Sequence, residues 1–530
     1  MRLLPTLTRR PPAALPRGRA TRAAARRCLA GGRLVIAALV AWPGGRAAAQ
    51  PAAGASAATC DVRAFGAIGD GRRPDTGAIN AAIRARAREG GGTVEFPPGV
   101  YLTGTIEVLS NITLHLQAGA RILGSPNPSD YRSIDRSTEG RSSSLILAQG
   151  AENIAILGPG SIDGNGRSFV MQPRQPHPPG FFDPAATRQG KAFFDRNQEN
   201  RDGPDRMLER PGVLVLLVEC RAVALRGLSV VDAPNWCIHL AGCRSAVLAG
   251  LTVRNSLRIP NADAIDLSSS RDVSVTDCNL EAGDDGIAVS PCADGYSPGA
   301  AENITVSNCV ITSRSAGVRL GWAARDIRHL RFEHLVIRDS NRGIGIFVRG
   351  KENIEDVTFS DVSIETHLVD GAWWGLGEPV HISVVPYGPD GSLGKVSGVR
   401  FESVTASSEA PVVLYSRDPG RIRDVLFSNC RLRIRRGALD GYYGGNLDLR
   451  PVSPSALGIS RRDLAGLVAC GVENLELRNL GLEWLGATSA FFTAGIEAEG
   501  CRNLVVEDLR GGGPRAGAPA LRVDGRVVQP

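Results

Sequence analysis

Four acidic residues lie close together within residues 261–290, in the stretch NADAIDLSSSRDVSVTDCNLEAGDDGIAVS: Asp263, Asp266, Asp284 and Asp285. Crowded carboxylates cannot all ionise freely, so at least one of them keeps its proton at a raised pKa. A protonated acid beside ionised acids is what acid/base hydrolysis of a glycosidic bond requires. The alternative is that these acids are solvated turn residues, which is the interpretation we favour for two others in the stretch, Asp272 and Asp277.

The pair Asp284–Asp285 favours the catalytic interpretation most strongly. The pair is flanked by Gly283 and Gly286 and leads directly into the apolar strand sequence IAVS. Two adjacent acids at the entrance of a buried strand are costly if packing is their only role. The spacing alone therefore indicates chemistry more than turn structure.

A short unit of alternating apolar residues recurs along most of the chain, as in ENIAILG (152–158), RDVSVTDCNL (271–280), ENITVSNCVI (302–311) and ENLELRNLGL (473–482). Each unit begins with a polar turn and is too short to enclose a core alone, so units must stack. The sequence predicts an all-β protein, a single-stranded right-handed parallel β-helix. One helix from about Asp75 to Arg88 is predicted to cap its first coil.

Stacking gives the acids a geometry. Residues one coil apart lie about 4.8 Å apart along the axis of such a solenoid. Asp263 and Asp284 are separated by about one coil in sequence. We therefore expect Asp263 and the Asp284–Asp285 pair on neighbouring coils of one surface.

Residues 1–49 read as a secretory signal peptide. They hold ten arginines, no acid, a short apolar core at 34–42 and the small residues AAAQ at 47–50. The whole chain has a net charge of +7, and removing the ten arginines of this segment leaves 7 − 10 = −3 for the remainder. The remainder is therefore slightly acidic, which excludes a nucleic-acid partner. The apolar core is too short for a membrane anchor. An exported protein, periplasmic or extracellular, is predicted, and the pair Arg26–Arg27 leaves ordinary and twin-arginine export equally open.

Four segments follow from these features: the signal peptide (1–49), a linker (50–59), the β-helix domain (60–511) and an irregular C-terminal tail (512–530). A polar, proline-rich interruption at 166–210 is predicted to be a long loop beside a binding cleft. Ten cysteines remain after the signal peptide. Most recur at equivalent places of the repeat, so we expect buried thiols more than disulfides.

The two acidic motifs carry a family resemblance. Asn261-Ala262-Asp263, followed about one coil later by Gly283-Asp284-Asp285, resembles the pattern of glycoside hydrolase family 28, the polygalacturonase family. The segments FGAIGDGRRPDTGAINAAI, FPPGVYLTG and GPGSIDGNG are similar to the N-terminal coils of that family. The resemblance covers roughly residues 60–510.

The resemblance implies an inverting hydrolase that cleaves a pectic polysaccharide or oligosaccharide without a metal or an organic cofactor. It implies that Asp284 protonates the leaving oxygen, and that Asp263 and Asp285 hold and deprotonate the attacking water. Asp266 and Asn261 would support these acids. A monomer with no nucleic-acid or membrane partner is expected.

The sequence departs from the family on the next two coils. Ala316 stands where the family has a histidine, and Gly345 and Phe347 stand where it has the Arg and Lys that bind the galacturonate carboxylate. Arginines remain nearby and are our candidates for substrate binding, since guanidinium groups suit carboxylates: Arg319, Arg342 and Arg349. A rhamnogalacturonan or another decorated pectic chain is therefore at least as good a candidate as homogalacturonan.

The segment HLVDGAWWGLGEPVHIS (367–383) interrupts the repeat and contributes three further candidates for substrate binding: Trp373, Trp374 and Glu378. Two adjacent tryptophans in a glycine-rich loop suggest a wall on which a sugar stacks. Either ring could instead fill the base of the loop. Trp236 and Trp322 are expected to be packing residues, with Trp322 the better candidate for the cleft.

Two other functions are compatible with the sequence. A polysaccharide lyase on the same fold would use Ca²⁺ and a basic residue, and its products would absorb in the near ultraviolet. A non-catalytic carbohydrate-binding solenoid would keep its function when Asp284 is replaced by Asn.

Overall fold

A computed structural model describes residues 58–138, 141–175, 183–289, 299–322, 325–388, 391–453 and 458–529. The predicted signal peptide and almost all of the predicted linker lie outside these residues. Within them, no helix is both long and apolar enough to cross a membrane.

The described chain is a right-handed parallel β-helix, as predicted, in which each coil contributes strands to three long parallel sheets. Alternation of apolar and polar residues dictates this arrangement, because each strand turns one face to the interior and one outward. In Arg271–Thr276, for example, Val273 and Val275 are buried and their neighbours are partly exposed.

Sheet 1 has fourteen strands. They are Thr59–Asp61, Gly92–Phe96, Ile112–Leu116, Glu152–Leu157, Arg221–Arg226, Arg244–Ala249, Arg271–Thr276, Ala301–Ser307, Ile327–Glu333, Ile354–Ser360, Val396–Glu402, Ile422–Ser428, Val472–Arg478 and Arg502–Glu507.

Sheet 2 has thirteen strands. They are Gly99–Thr103, Ala120–Gly124, Ser161–Asp163, Ser229–Val231, Thr252–Arg254, Asn279–Ala282, Val310–Ser313, Val336–Ser340, Ser363–Thr366, Thr405–Ser408, Arg431–Arg435, Gly481–Leu485 and Arg510–Gly511.

Sheet 3 carries the site described below. Its strands are Ile106–Glu107, Arg141–Gln149, Val213–Val218, Trp236–Ala241, Ile265–Ser268, Ile287–Val289, Ala316–Gly321, Arg342–Val348, Val380–Val384, Val412–Ser416, Leu464–Cys470, Phe492–Glu499, Leu521–Val523 and Arg526–Val528, with Ser133–Thr138 paired to Arg141–Gln149.

Three α-helices and a small hairpin complete the described elements. The helices are α1 (Thr76–Arg88), α2 (Lys191–Glu199) and α3 (Asp440–Tyr443), the 3-10 turns are Val62–Phe65, Pro128–Asp130 and Gly166–Phe169, and the hairpin pairs Asn446–Asp448 with Ile459–Arg461.

Helix α1 covers the first coil, and its residues Ile79, Ala82 and Ile83 belong to the main core. Asp75 precedes the helix but does not cap it with its side chain. Its carboxylate accepts instead from the backbone N–H groups of Ile68 and Gly69.

Polar residues occupy equivalent turn positions in successive coils. Asp272 and Asp277 both have positive φ values, of 58° and 57°. Their carboxylates accept hydrogen bonds from Asn303 and Asn308, which lie one coil further along. Short polar side chains tolerate this left-handed conformation better than other residues do. The two acids are therefore turn residues, as the sequence predicts.

The cysteines of the described residues are all free thiols, and most of them are buried. This outcome agrees with the prediction of stacked thiols in place of disulfides.

The predicted irregular tail after residue 511 is partly ordered into strands. Leu521–Val523 pairs in parallel with Phe492–Glu499, and Arg526–Val528 then folds back antiparallel on it. Alternation over only three residues is too short to predict a strand. The hairpin pairs the last parallel edge of sheet 3, which would otherwise be exposed.

The turns from sheet 2 to sheet 3, here called 2–3 turns, differ greatly in length. The turn at 283–286 has four residues, whereas chain segments 164–212, 367–379 and 436–463 are long insertions in equivalent turns of other coils. Short 2–3 turns flanked by long ones create a recess on this side of the helix.

The interior contains a ladder of phenylalanines in register. Successive ring centroids from Phe332 through Phe359 and Phe401 to Phe427 are 4.7, 5.3 and 4.6 Å apart, and the rings are nearly parallel. We expect Phe359→Ala to lower the free energy of unfolding by about 3–5 kcal/mol, because it leaves a cavity inside the ladder. Equilibrium unfolding in urea measures this change. Phe65→Ala, at a surface position, should lower the free energy of unfolding by less than about 1 kcal/mol. An equal loss at both positions would contradict the proposal that the ladder stabilises the fold.

Candidate active site

Two neighbouring 2–3 turns bring the acids together. Asp263 lies near the end of the turn before Ile265–Ser268, and Asp284 and Asp285 are the two middle residues of the turn before Ile287–Val289. These strands pair in parallel, with Ile265 opposite Ile287. The N–H of Ala264 also donates to the carbonyl oxygen of Asp285, at 3.0 Å.

One carboxylate oxygen from each of Asp263, Asp284 and Asp285 lies within 4.8 Å of the other two. Asp263 and Asp285 are buried, whereas Asp284 is partly exposed. The three acids therefore form one cluster with a single member accessible from outside.

Burial and mutual repulsion keep protons on this cluster. Burial, then the charges of Asp266, Asp284 and Asp285, raises the pKa of Asp263 well above its usual range. Burial and the charge of Asp285 raise the pKa of Asp284 to about 7, although Arg319 and two hydrogen bonds oppose the rise. A carboxyl group that is protonated near neutral pH can act as a general acid.

Arg319 compensates the charge of Asp285. Its Nε donates to Oδ2 of Asp285, its Nη1 donates to the carbonyl oxygen of Gly321 at 2.9 Å, and both ionic side chains are almost completely buried. The N–H of Ala316 donates to the second carboxylate oxygen at 3.1 Å. Asp285 is thus held at both oxygens, which fixes its orientation.

Neighbouring polar groups support the two turns. The N–H of Asn261 donates to Oδ2 of Asp284, at 3.3 Å. The buried amide of Asn255 donates to the carbonyl oxygens of Ala262 and Asp263. Asp266 lies on the outward face of sheet 3 in register with His239, and it is buried.

A cleft of about 310 Å³ opens over the cluster. Its described lining combines the acids with aromatic residues and with residues of all three insertions: Pro204, Trp236, Pro260, Asn261, Asp263, Asp284, Asp285, Ser315, Arg319, Trp322, Arg342, Phe347, Ala372, Trp373, Trp374 and Pro451. A concave site with a few convergent polar groups is typical of a binding site.

The three insertions pack against one another and wall the cleft. Ala372 donates its N–H to the Asn200 side chain, at 3.3 Å, and Arg196 pairs with Asp370. The N–H of Arg188 donates to Asn446, at 2.8 Å. The loop predicted at 166–210 therefore does flank the cleft, together with two others.

Arg342 connects the cleft floor to these insertions. Its Nε lies 3.3 Å from Glu378 and its Nη2 lies 4.0 Å from Asp448, and all three side chains are buried. Burial is the largest influence and opposes ionisation of Glu378, but the charge of Arg342, the neighbouring His381 and the N–H of Leu376 together hold the pKa of Glu378 well below the usual range. The Nη2 of Arg342 donates no hydrogen bond among the described residues, although it is buried beside Asp448.

Among the other predicted substrate-binding residues, Trp374 lies at the cleft with 38% of its surface exposed. Trp373 is buried, and its indole N–H donates to the carbonyl oxygen of Asp202. It lines the base of the cleft and also joins two insertions.

Arg349 and Glu378 are placed outside the described cleft lining. Arg349 is buried and donates to four carbonyl oxygens and the Ser383 hydroxyl, which uses its guanidinium within the protein. Burial lowers the pKa of Arg349 to about 9. The sequence positions of Arg349 and Glu378 do not reveal that both side chains form their hydrogen bonds and ion pairs within the protein.

Sequence patterns also missed part of the lining. Trp236 and Trp322 are both expected from the sequence to be packing residues, with Trp322 the better candidate for the cleft, and both line it. The ring of Trp322 also contacts those of Trp374 and Tyr387. Trp322 has a positive φ, so the chain leaves strand geometry at this residue. The repeated sequence pattern does not predict this change.

The three clustered carboxylates are also close enough to chelate a cation. Arg319 already compensates one of them, and Asp284 retains a proton near neutral pH. The cluster therefore fits acid/base chemistry without further charge.

Known proteins provide an independent comparison. A family model described as glycosyl hydrolases family 28 matches residues 102–432, more than half of the chain. The chain belongs to glycosyl hydrolase family 28. It is therefore a glycoside hydrolase, and the resemblance inferred from the two acidic motifs is confirmed.

The hydrolase is similar to a probable polygalacturonase of Vitis vinifera, at 28% identity over 368 residues that cover 65% of this chain and 68% of that protein. Among solved structures, a family 28 exopolygalacturonase of Yersinia enterocolitica matches with a TM-score of 0.59 at 19% identity, covering 85% of this chain and 78% of that one. A polygalacturonase of Erwinia carotovora matches with a TM-score of 0.55 at 18% identity, covering 73% and 95%. At such identities the structures support the fold.

Two positions at which the sequence predicts a departure from the family pattern, Gly345 and Phe347, lie against each other in the hydrolase. A Cβ atom on Gly345 would lie 2.7 Å from the ring of Phe347, so this ring covers the glycine. The guanidinium carbons of Arg342 and Arg349 lie on the same ring, each 5.1 Å from its centroid. An aromatic ring thus occupies the space beside Gly345.

We expect Glu378→Gln to lower the free energy of unfolding by about 3–5 kcal/mol, because Arg342 then loses its nearest buried counter-charge. Gln keeps the shape and can still accept from the N–H of Leu376, as Glu378 does at 2.9 Å. Urea unfolding is the measurement, with Glu355→Gln as the control. Glu355 pairs with Lys395 at the surface, and its loss should cost less than about 1 kcal/mol. Equal effects would show that the buried pair adds nothing special.

Proposed function

We propose that the hydrolase cleaves a glycosidic bond of a pectic polysaccharide or oligosaccharide by acid/base catalysis at the Asp263–Asp284–Asp285 cluster. The observation that carries this proposal is the cluster itself, in which three carboxylates meet at the floor of a cleft and one of them is accessible. The match to a probable polygalacturonase supports the substrate class.

The surroundings of each acid suggest its role. Asp284 is the most accessible member and is protonated near neutral pH, as a group that protonates a leaving oxygen must be. Asp285 is paired with Arg319 and held at both oxygens, which suits the carboxylate that receives a proton from water. Asp263, the most enclosed, helps to hold that water, with Asp266 behind it.

The separation of the acids does not select the stereochemical course. Carboxyl groups in inverting glycosidases are usually about 6.5–9.5 Å apart, and these nearest oxygens are closer. Inversion is proposed from the family pattern of the two motifs, and the anomer released is the direct test.

Substrate binding is assigned to groups at the cleft. Trp374 offers an exposed ring, Trp373 closes the base, and Arg342 forms part of the floor, where it is paired with Glu378. Arg319 acts mainly on Asp285, and Arg349 and Glu378 hold the cleft wall. The altered residues around Gly345 favour a decorated pectic chain over plain homogalacturonan.

Export remains part of the proposal. The leader at 1–49 supports a periplasmic or extracellular location, where a pectic polymer is accessible. A monomeric protein stays a prediction from the sequence.

We expect Asp284→Asn to reduce kcat at least 1,000-fold while substrate affinity changes little, because the side chain keeps its shape but cannot donate the required proton. Reducing-end release and calorimetry measure the two quantities. Asp277→Asn, at a turn on the same coil, is the matched control. Full activity in Asp284→Asn would contradict the proposal, and ultraviolet-absorbing products that disappear with a chelator would establish a lyase instead.

The pH dependence follows from the raised pKa of Asp284. Activity should be present below about pH 7 and fall as pH rises through that value, because the acid loses its proton. Arg319→Gln removes a charge that lowers the pKa of Asp284, so the alkaline limb of kcat/KM should move to higher pH. Arg319→Lys keeps the charge and should keep the limb in place with a reduced kcat. An unshifted profile in Arg319→Gln would show that Arg319 does not act on the acids.

A further inference from the structure

Three aromatic rings form a platform at the rim of the cleft: Trp322, Trp374 and Tyr387. The centroid of the Trp322 ring lies 5.2 Å from that of Trp374, with the two planes tilted by 42°, and 5.9 Å from that of Tyr387, with the two planes 28° apart. Trp374 and Tyr387 are 38% and 45% exposed, and contiguous exposed apolar surface beside a cleft is typical of a ligand-binding groove. The platform is continuous with the acids, since Trp322 and Trp374 both line their cleft.

The backbone is distorted where it presents the platform. Trp322 has a φ of +50°, which is an outlier for a bulky residue, and Gly321 before it has a φ of +89°. This left-handed pair ends the strand Ala316–Gly321 and redirects Trp322 out of the sheet. The N–H of Trp322 donates to the carbonyl oxygen of Phe347, at 2.7 Å. Strain of this kind persists where the surrounding structure enforces it, and it is concentrated at functional sites.

The loop that carries Trp374 is also fixed in place. The carbonyl oxygens of Trp374 and Gly375 accept hydrogen bonds from the buried side-chain amide of Asn341. The N–H of Gly375 donates to Asp448, at 3.0 Å. The platform is therefore preorganised before any ligand binds, which lowers the entropic cost of stacking.

The charges at the cleft indicate what kind of ring the platform can accept. The cations of the described lining are Arg319, engaged by Asp285, and Arg342, buried against Glu378. A carboxylate over the platform would lose hydration against aromatic faces without gaining an ion pair there. An uncharged pyranose has an apolar C–H face that matches them.

We propose that Trp322, Trp374 and Tyr387 form a subsite that stacks an uncharged sugar ring of the substrate, next to the glycosidic bond that reaches Asp284. This inference rests on the proposed function and specifies its substrate class. The substrate is a mixed pectic oligosaccharide in which neutral sugars alternate with uronates. The enzyme then recognises the apolar face of the neutral sugar in addition to the carboxylate of the uronate.

The experiment compares two oligosaccharides of equal length, one made only of galacturonate and one in which galacturonate alternates with rhamnose. Wild type, Trp374→Ala, Trp374→Phe and Tyr387→Ala are assayed for KM and kcat. Tyr442→Ala is the control, because Tyr442 is also 38% exposed but lies on α3 outside the described lining of the cleft. Binding of both oligosaccharides to Asp284→Asn, with and without Trp374→Ala, is measured by calorimetry.

We expect wild type to prefer the alternating oligosaccharide, and Trp374→Ala to raise its KM about tenfold or more with little change in kcat, the size of a lost stacking contact. Trp374→Phe should restore most of the affinity, and Tyr442→Ala should match wild type. An unchanged KM in both alanine variants at the platform, or a preference for the all-galacturonate oligosaccharide, would overturn the subsite.

Binding separates this inference from the proposed function. Wild type could cleave neither oligosaccharide while Asp284→Asn binds the alternating one and the double variant Asp284→Asn/Trp374→Ala does not. In that case the subsite stands and the proposed activity fails. If wild type cleaves while Trp374→Ala binds and cleaves equally well, the activity stands and the subsite fails.

Discussion

The hydrogen-bonded register between neighbouring coils is the constraint on which the site depends. Asp263 and Asp285 belong to different coils, and they meet because Ile265–Ser268 pairs in parallel with Ile287–Val289. A slip of one residue would move every side chain of a strand to the opposite face. The interior prevents this slip, because Ile265 and Ile287 are completely buried and their neighbours on each strand point outward.

Buried charge is the second constraint, and it links the cleft floor to its walls. Arg319 lies against Asp285 on the floor, whereas Arg342 reaches Glu378 and Asp448 in two different insertions. A buried ion that loses its partner is strongly destabilising. The insertions therefore cannot move away from the floor without exposing or isolating these charges. The same contacts that stabilise the wall also hold Trp374 at the rim.

The fold could be predicted from the sequence because it depends on a repeated local pattern. Alternating apolar residues at a regular period specify strands, and polar turns between them specify coils. The same regularity predicted that Asp263 and Asp284 would lie one coil apart. Short strands such as Leu521–Val523 escaped prediction because three residues carry too little alternation to distinguish a strand from a loop.

The site could be predicted only in part, because side-chain pairing in three dimensions has no periodic signal. Arg319, Arg342 and Arg349 look equivalent in the sequence, yet one is paired with an acid of the cluster, one lines the cleft, and one is saturated by carbonyl groups. Their differences arise from the insertions and from the position of Phe347, both of which are irregular. The sequence makes Trp322 a candidate for the cleft but does not place its ring, since that placement depends on a left-handed backbone.

In the proposed mechanism the three acids are a hydrolytic centre, in which Asp284 donates a proton while a water held by Asp285 and Asp263 attacks from the opposite face. The most direct test is proton NMR of the first sugar released from an α-linked pectic oligosaccharide, recorded before mutarotation. Inversion releases the β-anomer first, which then equilibrates. Initial release of the α-anomer would contradict it, because retention requires one of these acids to form a covalent bond to the sugar.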